Sequence, residues 1–233
     1  MLMKSPISGI KLFISGRYGS LLLALLLLIV LQPVVATKPG KYILEAMFAA
    51  VLFAALPAIR VKKFLLSFEI VLLALSLALH IAGSSLGYET PFLFGIAGRI
   101  LFLFLVALTI LLDLFRSRKV TSDTLAGAVC IYLMIALIWG YSYLLAELLV
   151  PGSFSFTQGH ARLQLWLSRE IYPFFYFSLV TMTTVGYGDM TPVTTTARTL
   201  ATLEALVGQV YLTILVARLV GLHLLHQQEN KSG

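Results

Sequence analysis

Long apolar runs alternate with short polar gaps along the chain. Six of them, at roughly 19–36, 42–59, 64–83, 92–114, 123–150 and 195–225, are long enough to cross a bilayer core of about 30 Å as helices. They predict an all-α membrane protein with six transmembrane helices. A seventh run, roughly 170–182, falls short of the ~20 residues that a spanning helix needs. Pro173 suits the first turn of a helix, where a missing N–H costs little. This run therefore predicts a re-entrant helix. The first run also has features of a cleavable leader, with a basic start, the stretch Leu21–Leu31 and the end Val34-Val35-Ala36. Its long basic approach favours a span.

The gaps carry most of the charge. Lys4, Lys11 and Arg17 precede the first run; Arg60, Lys62 and Lys63 follow the second; Arg116, Arg118 and Lys119 follow the fourth; Lys231 lies in the tail. The intervening gaps hold only Lys38 and Lys41, or Glu89 with no base. Basic residues stay on the cytoplasmic side, so both termini are expected in the cytoplasm and 151–194 outside or re-entering from outside. Of the 233 residues, 59% are hydrophobic and 12% charged, too few charges for a soluble surface. The net charge of +7 sits where topology is set, which argues for lipid rather than nucleic acid as its partner. The single Cys130 excludes a disulfide framework or a cysteine-only metal site within one chain. There is no paired zinc spacing, no phosphate-cradling Gly-rich loop and no nucleophile elbow, so the chain is not expected to be an enzyme. No inverted repeat suggests active transport, and no small-molecule substrate other than ions is expected.

Between the short run and the last span lies Thr183-Thr184-Val185-Gly186-Tyr187-Gly188-Asp189. A narrow ion pathway must replace the hydration shell of a cation with oxygen ligands. Thr184, Val185, Gly186 and Tyr187 offer successive backbone carbonyls, and Thr184 adds its hydroxyl. For those carbonyls to face one way the backbone must alternate in conformation, and Gly186 and Gly188 allow positive-φ steps at little steric cost. One strand surrounds nothing, so several copies must meet on a symmetry axis. Irregular backbone at membrane depth is tolerated where it lines an aqueous path. The preceding helix would point its negative C-terminal end toward that path and favour a cation. K⁺ ions are the implied ligand, with no organic cofactor.

The run Thr181-Met182-Thr183-Thr184-Val185-Gly186-Tyr187-Gly188-Asp189-Met190-Thr191-Pro192-Val193-Thr194 resembles the potassium channel superfamily, specifically bacterial six-span, single-pore channels. The resemblance covers roughly 170–225. It implies a homotetramer that passes dehydrated K⁺ in single file in a cell inner membrane. It divides the chain into a cytoplasmic N-terminus (1–18), a four-helix sensor-like region (19–119), a pore domain (120–225) and a short cytoplasmic tail (226–233), with no cytoplasmic sensor domain after the last span. It also implies a filter of Thr184, Val185, Gly186, Tyr187 and Gly188, supported by Thr183, Asp189 and Tyr176. Gly208, nineteen residues after Asp189, falls at the family's hinge position; close helix packing is the other reading. Gln209 and Leu212 would then face a cavity, and Val216 and Leu219 would form an apolar gate.

Four departures stand out. Tyr176 and Phe177 occupy positions where many members have two tryptophans, so Phe177 brings no donor for Tyr187. Val180 stands where some bacterial members carry Glu. The fourth span has only Arg99 near its outer end and Asp113 near its inner end, which predicts weak or absent voltage gating. Glu204 lies inside the last span, where carboxylates are usually functional or paired. It would either hydrogen-bond Ser178 or Thr181, or face the cavity and attract cations.

Other residues invite plainer readings. Glu69 and Arg218 are expected to snorkel at an interface. His223 and His226 are placed on a solvated helix end, with pH sensing or metal binding as the sharper reading. His80 and His160 would lie at the outer face without an identifiable partner, and Trp139 and Trp166 would pack or join an interfacial belt. Pro151 to Ser168 reads as an extracellular turret. The sequence thus points to passive K⁺ conduction; the alternatives are a non-selective cation channel or a non-conducting scaffold or partner subunit with a pore-like fold.

Overall fold

A computed structural model of the protein describes residues 16–35, 51, 63–117, 121–157 and 171–232. Its elements are α1 (Gly19–Val35), α2 (Lys63–Leu86), α3 (Glu89–Arg116), α4 (Ser122–Leu149), β1 (Phe154–Phe156), α5 (Tyr172–Met182), β2 (Met190–Pro192) and α6 (Thr195–Ser232). Helices α3, α4 and the Thr195–Arg218 part of α6 are long and apolar enough to cross a membrane. Gly19–Leu31 of α1 and Ser67–Gly83 of α2 are shorter apolar helices. The run expected at 42–59 lies outside the described residues except for Val51, which is helical and buried. One expectation needs correction: the fold is mostly helical but includes an antiparallel ribbon of β1 and β2. The helix α6 continues as far as Ser232.

The helix ends follow their sequences. Thr121 caps α4 reciprocally: its Oγ1 accepts the Thr124 N–H at 3.2 Å, and its own N–H donates to Thr124 Oγ1 at 2.8 Å. Glu89 lies in the first turn of α3 and Arg116 in its last, each matching the helix dipole. Thr194 Oγ1 accepts the Ala197 N–H at 3.3 Å at the start of α6.

Contacts divide the chain into two compact units, one of residues 1–67, 106–133 and 215–233, the other of 68–105 and 134–214. In the first, Tyr18 is a polar hub. Its phenol donates to Asp113 Oδ2 at 2.6 Å and its N–H to Asp123 Oδ1 at 2.9 Å. Arg17 pairs with Asp113 at 3.3 Å. Burial, and next the bond to Asp113, push the Tyr18 phenol well above its ordinary range, so it stays protonated and donates. Gly127 is required beneath this ring, because a Cβ there would lie 2.8 Å from it.

Arg218 of α6 does not snorkel. Its guanidinium donates to the carbonyls of Leu114 and of Ser117, the latter at 2.9 Å, and lies 4.8 Å from the centre of the Phe115 ring. Helix C-termini are short of donors; Arg218 adds donors to the Leu114 carbonyl, which also accepts the Ser117 N–H at 3.2 Å, and to the Ser117 carbonyl just past α3.

In the second unit, α2 and α3 form a close antiparallel hairpin turned at Gly87, whose φ is +73°. A Cβ on Gly83, Gly95 or Gly98 would come within 2.5–2.8 Å of Phe92, His80 or Ser76 respectively. Small residues thus let the helix backbones approach. His80 is buried with its ring centre 4.6 Å from that of Phe92, so it is neither exposed nor partnerless. Glu69 is also fully buried rather than snorkelling, with neither carboxylate oxygen hydrogen-bonded. Arg99 is buried and donates to the Tyr141 hydroxyl of α4 at 3.1 Å.

Candidate functional site

The run from Thr183 to Gly188 leaves α5 as exposed, irregular backbone. Pro173 begins the helix in its first turn, and Thr183 ends it. The last carbonyls of α5 hold the chain that follows: Leu179 accepts from Thr183 N–H at 3.0 Å, Thr181 from Thr184 at 3.1 Å, and Val180 from Val185 at 3.0 Å and Gly186 at 3.4 Å. The orphan carbonyls of the helix end and the orphan N–H groups of the loop therefore satisfy one another.

The φ angle is positive at Thr184 (+59°), Gly186 (+57°) and Gly188 (+75°), every second residue. In an ordinary extended strand successive carbonyls point to opposite edges. Inverting alternate residues turns alternate peptide planes and brings the carbonyls to one side. Sequence reasoning placed this step at the two glycines but missed Thr184, since a threonine in the left-handed region is uncommon. Among the described residues, no hydrogen bond uses a carbonyl oxygen of Thr183 to Gly188. The loop thus spends its donors on α5 and keeps its acceptors free.

Outside the loop, β1 and β2 pair in register Phe154 with Pro192, Ser155 with Thr191 and Phe156 with Met190. The pairing continues at both ends, where Thr157 N–H donates to the Asp189 carbonyl at 3.0 Å and Val193 N–H to the Ser153 carbonyl at 2.8 Å. Glu147, buried at the end of α4, accepts the N–H groups of Gly152 and Phe154, each at 2.9 Å. The exit of the loop is thereby tied to α4. Sequence reasoning missed Glu147, although a carboxylate ending an apolar run just before a glycine turn was the available signal.

Tyr176 serves two roles. Its hydroxyl donates to Asp189 Oδ2 at 2.9 Å, and its ring stacks parallel to Tyr187 with centres 6.4 Å apart. Asp189 Oδ1 accepts the Met190 N–H at 3.1 Å. Phe177 points the other way, into an edge-to-face cluster with Tyr143 at 5.2 Å and Phe154 at 5.5 Å. Tyr176→Phe removes one hydrogen bond worth about 1 kcal/mol. Amide exchange at Met190 is expected to quicken about fivefold. An unchanged rate would show that this hydroxyl does not hold Asp189.

The remaining candidates lie on α6. Glu204 is fully buried and accepts hydrogen bonds from Ser178 of α5 and Tyr143 of α4. Gly208 packs on Met182, 3.3–3.4 Å from a would-be Cβ, and the helix runs unbroken through it. Gln209 is exposed, with its Nε2 3.5 Å from the Met182 carbonyl. Leu212 is half-buried and Val216 exposed. Side chains of Leu219, His223 and His226 lie outside those described. No group of three or more His, Cys, Asp or Glu forms a metal cluster among the described residues.

Residues 122–222 match a family of ion channels. A relative, the two-pore potassium channel 4 of Arabidopsis thaliana, is 48% identical over 56 residues, which is 24% of this chain and 19% of that protein. The chain therefore matches about a fifth of the length of that curated relative. No solved structure matches.

Proposed function

We propose that the chain, which matches a family of ion channels over residues 122–222 and a two-pore potassium channel over 56 residues, is a K⁺-selective channel of the potassium channel superfamily that conducts passively as a homotetramer. The loop of Thr184, Val185, Gly186, Tyr187 and Gly188 is the filter, with Thr183, Tyr176 and Asp189 as its support. The observation that carries this reading is the alternation of positive φ at Thr184, Gly186 and Gly188 in a run whose carbonyls accept no hydrogen bond among the described residues. Such carbonyls suit the replacement of a cation's hydration shell. Assembly is supported by α6. The apolar stretch of α6 is mostly exposed in the single chain, whereas that of α4 is mostly buried, which leaves an apolar face for further copies. The protein would sit in a cell inner membrane with both termini cytoplasmic.

The test is flux from liposomes that hold only this chain. K⁺ efflux is expected, with reversal potentials in mixed K⁺ and Na⁺ set by K⁺. Equal permeability would replace this reading with a non-selective cation channel, and absence of flux with a scaffold or partner subunit.

Conduction is expected to depend weakly on voltage. Arg99 is the only charged residue of α3 between Glu89 and Asp113, and it is buried against Tyr141. One charge moved across 100 mV contributes about 2.3 kcal/mol. Full movement of Arg99 in four subunits would contribute about 9 kcal/mol, below the tens that give steep gating. A steep conductance–voltage curve from the purified protein would refute this.

A further inference from the structure

We infer that Glu204 is a positioning residue for the filter, one that sets K⁺ over Na⁺ selectivity by fixing the seat of helix α5 and not by acting on ions. This rests on the reading of the 184–188 loop as a filter.

The inference begins with the face that Glu204 occupies. On α6 its neighbours Leu203, Leu206 and Val207 are exposed, whereas Ala197, Glu204 and Gly208 are buried. The carboxylate therefore lies on the packed face of the helix. One oxygen accepts from the Ser178 hydroxyl, the other from Tyr143. Three helices converge on one side chain. Packing alone would be served by leucine there, and a carboxylate inside a membrane segment is costly. What it provides is two acceptors for two hydroxyls that converge from different helices, so no buried polar group in the trio is orphaned.

The consequence reaches the filter through α5. Ser178 lies just before Leu179, Val180 and Thr181, whose carbonyls hold the N–H groups of Thr183 to Gly186. One turn further along, Gly208 presses against Met182. Helix α6 thus meets α5 at two points that bracket those carbonyls. A third contact comes from α4, where a Cβ on Gly140 would lie 3.0–3.1 Å from the Phe175 backbone. Any roll or slide of α5 would move the carbonyls and the filter entrance together. Apolar contacts tolerate such a slide, whereas two hydrogen bonds to one carboxylate do not.

The test compares Glu204→Leu with Glu204→Gln in liposomes and in detergent. Glutamine can accept from one hydroxyl and donate to the other, so it keeps the brace without the charge; leucine keeps the packing without the brace. Glu204→Leu is expected to lower the K⁺/Na⁺ permeability ratio about tenfold, the scale of an orphaned buried hydrogen-bond group. Glu204→Gln should restore the ratio to within about twofold. Tyr143→Phe and Ser178→Ala should each reproduce part of the leucine effect. Equal loss in glutamine and leucine would show that the charge acts directly and would overturn the inference. So would an unchanged ratio in leucine. Amide exchange over 179–188 supplies a second readout that does not need conduction: it should quicken in leucine and hold in glutamine. Absence of flux from the wild-type chain would reject the channel reading, and the exchange data would still decide whether Glu204 holds this loop.

Discussion

Replacing Gly186 by alanine is expected to abolish K⁺-selective flux from liposomes. A Cβ at Gly186 meets nothing within 4 Å in the protomer, so the loss does not come from a clash inside the chain. It comes from the backbone, where φ is +57°. An L-residue in the left-handed region costs about 1–2 kcal/mol. In the proposed ring of four the same strain is met four times, about 4–8 kcal/mol in all. The strain is relieved by returning residue 186 to negative φ, which turns its peptide plane and breaks the common direction of the carbonyls. Thr184 already occupies this region at +59°, steadied by its bond to Thr181 and by that of Val185 to Val180. A second strained residue two positions on has no comparable hold beyond the longer Gly186 contact to Val180 at 3.4 Å. The measurement is the K⁺ and Na⁺ flux of the variant, with its oligomeric state checked beside it. Selectivity retained in an intact assembly would show that the ligand geometry does not require the left-handed step.

The second large effect is on stability. Glu147→Ala leaves the N–H groups of half-buried Gly152 and buried Phe154 without their acceptor. Each orphaned donor costs about 1–3 kcal/mol, so the variant should lose roughly 2–6 kcal/mol. For a chain of this size that corresponds to a fall in the unfolding midpoint of about 4–24 °C. Glu147→Gln keeps one acceptor and should recover about half of the loss. The effect should also spread beyond the turn. Phe154 opens the ribbon whose far end holds the Asp189 carbonyl through Thr157, so amide exchange at Thr157 should rise in the alanine variant. Thermal unfolding in detergent checks the first expectation; an unchanged midpoint would mean that solvent or lipid headgroups satisfy both donors.

These cases mark where the sequence is legible. The 183–189 run could be read because its chemistry depends on residue identity, with glycines where φ must be positive and a threonine hydroxyl beside carbonyls. The long apolar runs at α3, α4 and α6 could be read because about 20 apolar residues have one stable form in lipid. The ribbon could not. Phe154-Ser155-Phe156 and Met190-Thr191-Pro192 are too short to signal strands, and their pairing joins segments separated by the whole of α5 and the loop. Glu204 was recognisable as an intramembrane carboxylate, and Ser178 was among its expected partners. Tyr143 was not, since nothing in α4 shows which of its turns meets α6. The aromatic support is legible in part: Tyr176 is expected to support Asp189 and does donate to it, while its stacking on Tyr187 and the turn of Phe177 into the cluster around Phe154 depend on tertiary packing. Arg218 reads as a surface group because its partner, a helix end, lies about 100 residues away in sequence; His80 does so because the turn that lays Phe92 over it is set by the α2–α3 hairpin.

The position of Arg218 has a mechanical consequence. Its guanidinium fastens α6 to the carbonyls of Leu114 and Ser117 at the end of α3, with Phe115 covering one face. Lipid tails offer no donor that could take over those carbonyls, and each charge-assisted bond is worth about 1.5–3 kcal/mol. Small displacements of α6 at this level must therefore drag the final turn of α3 along. Larger ones must first unclasp it. The clasp thus couples the two helices at this one level until its hydrogen bonds part.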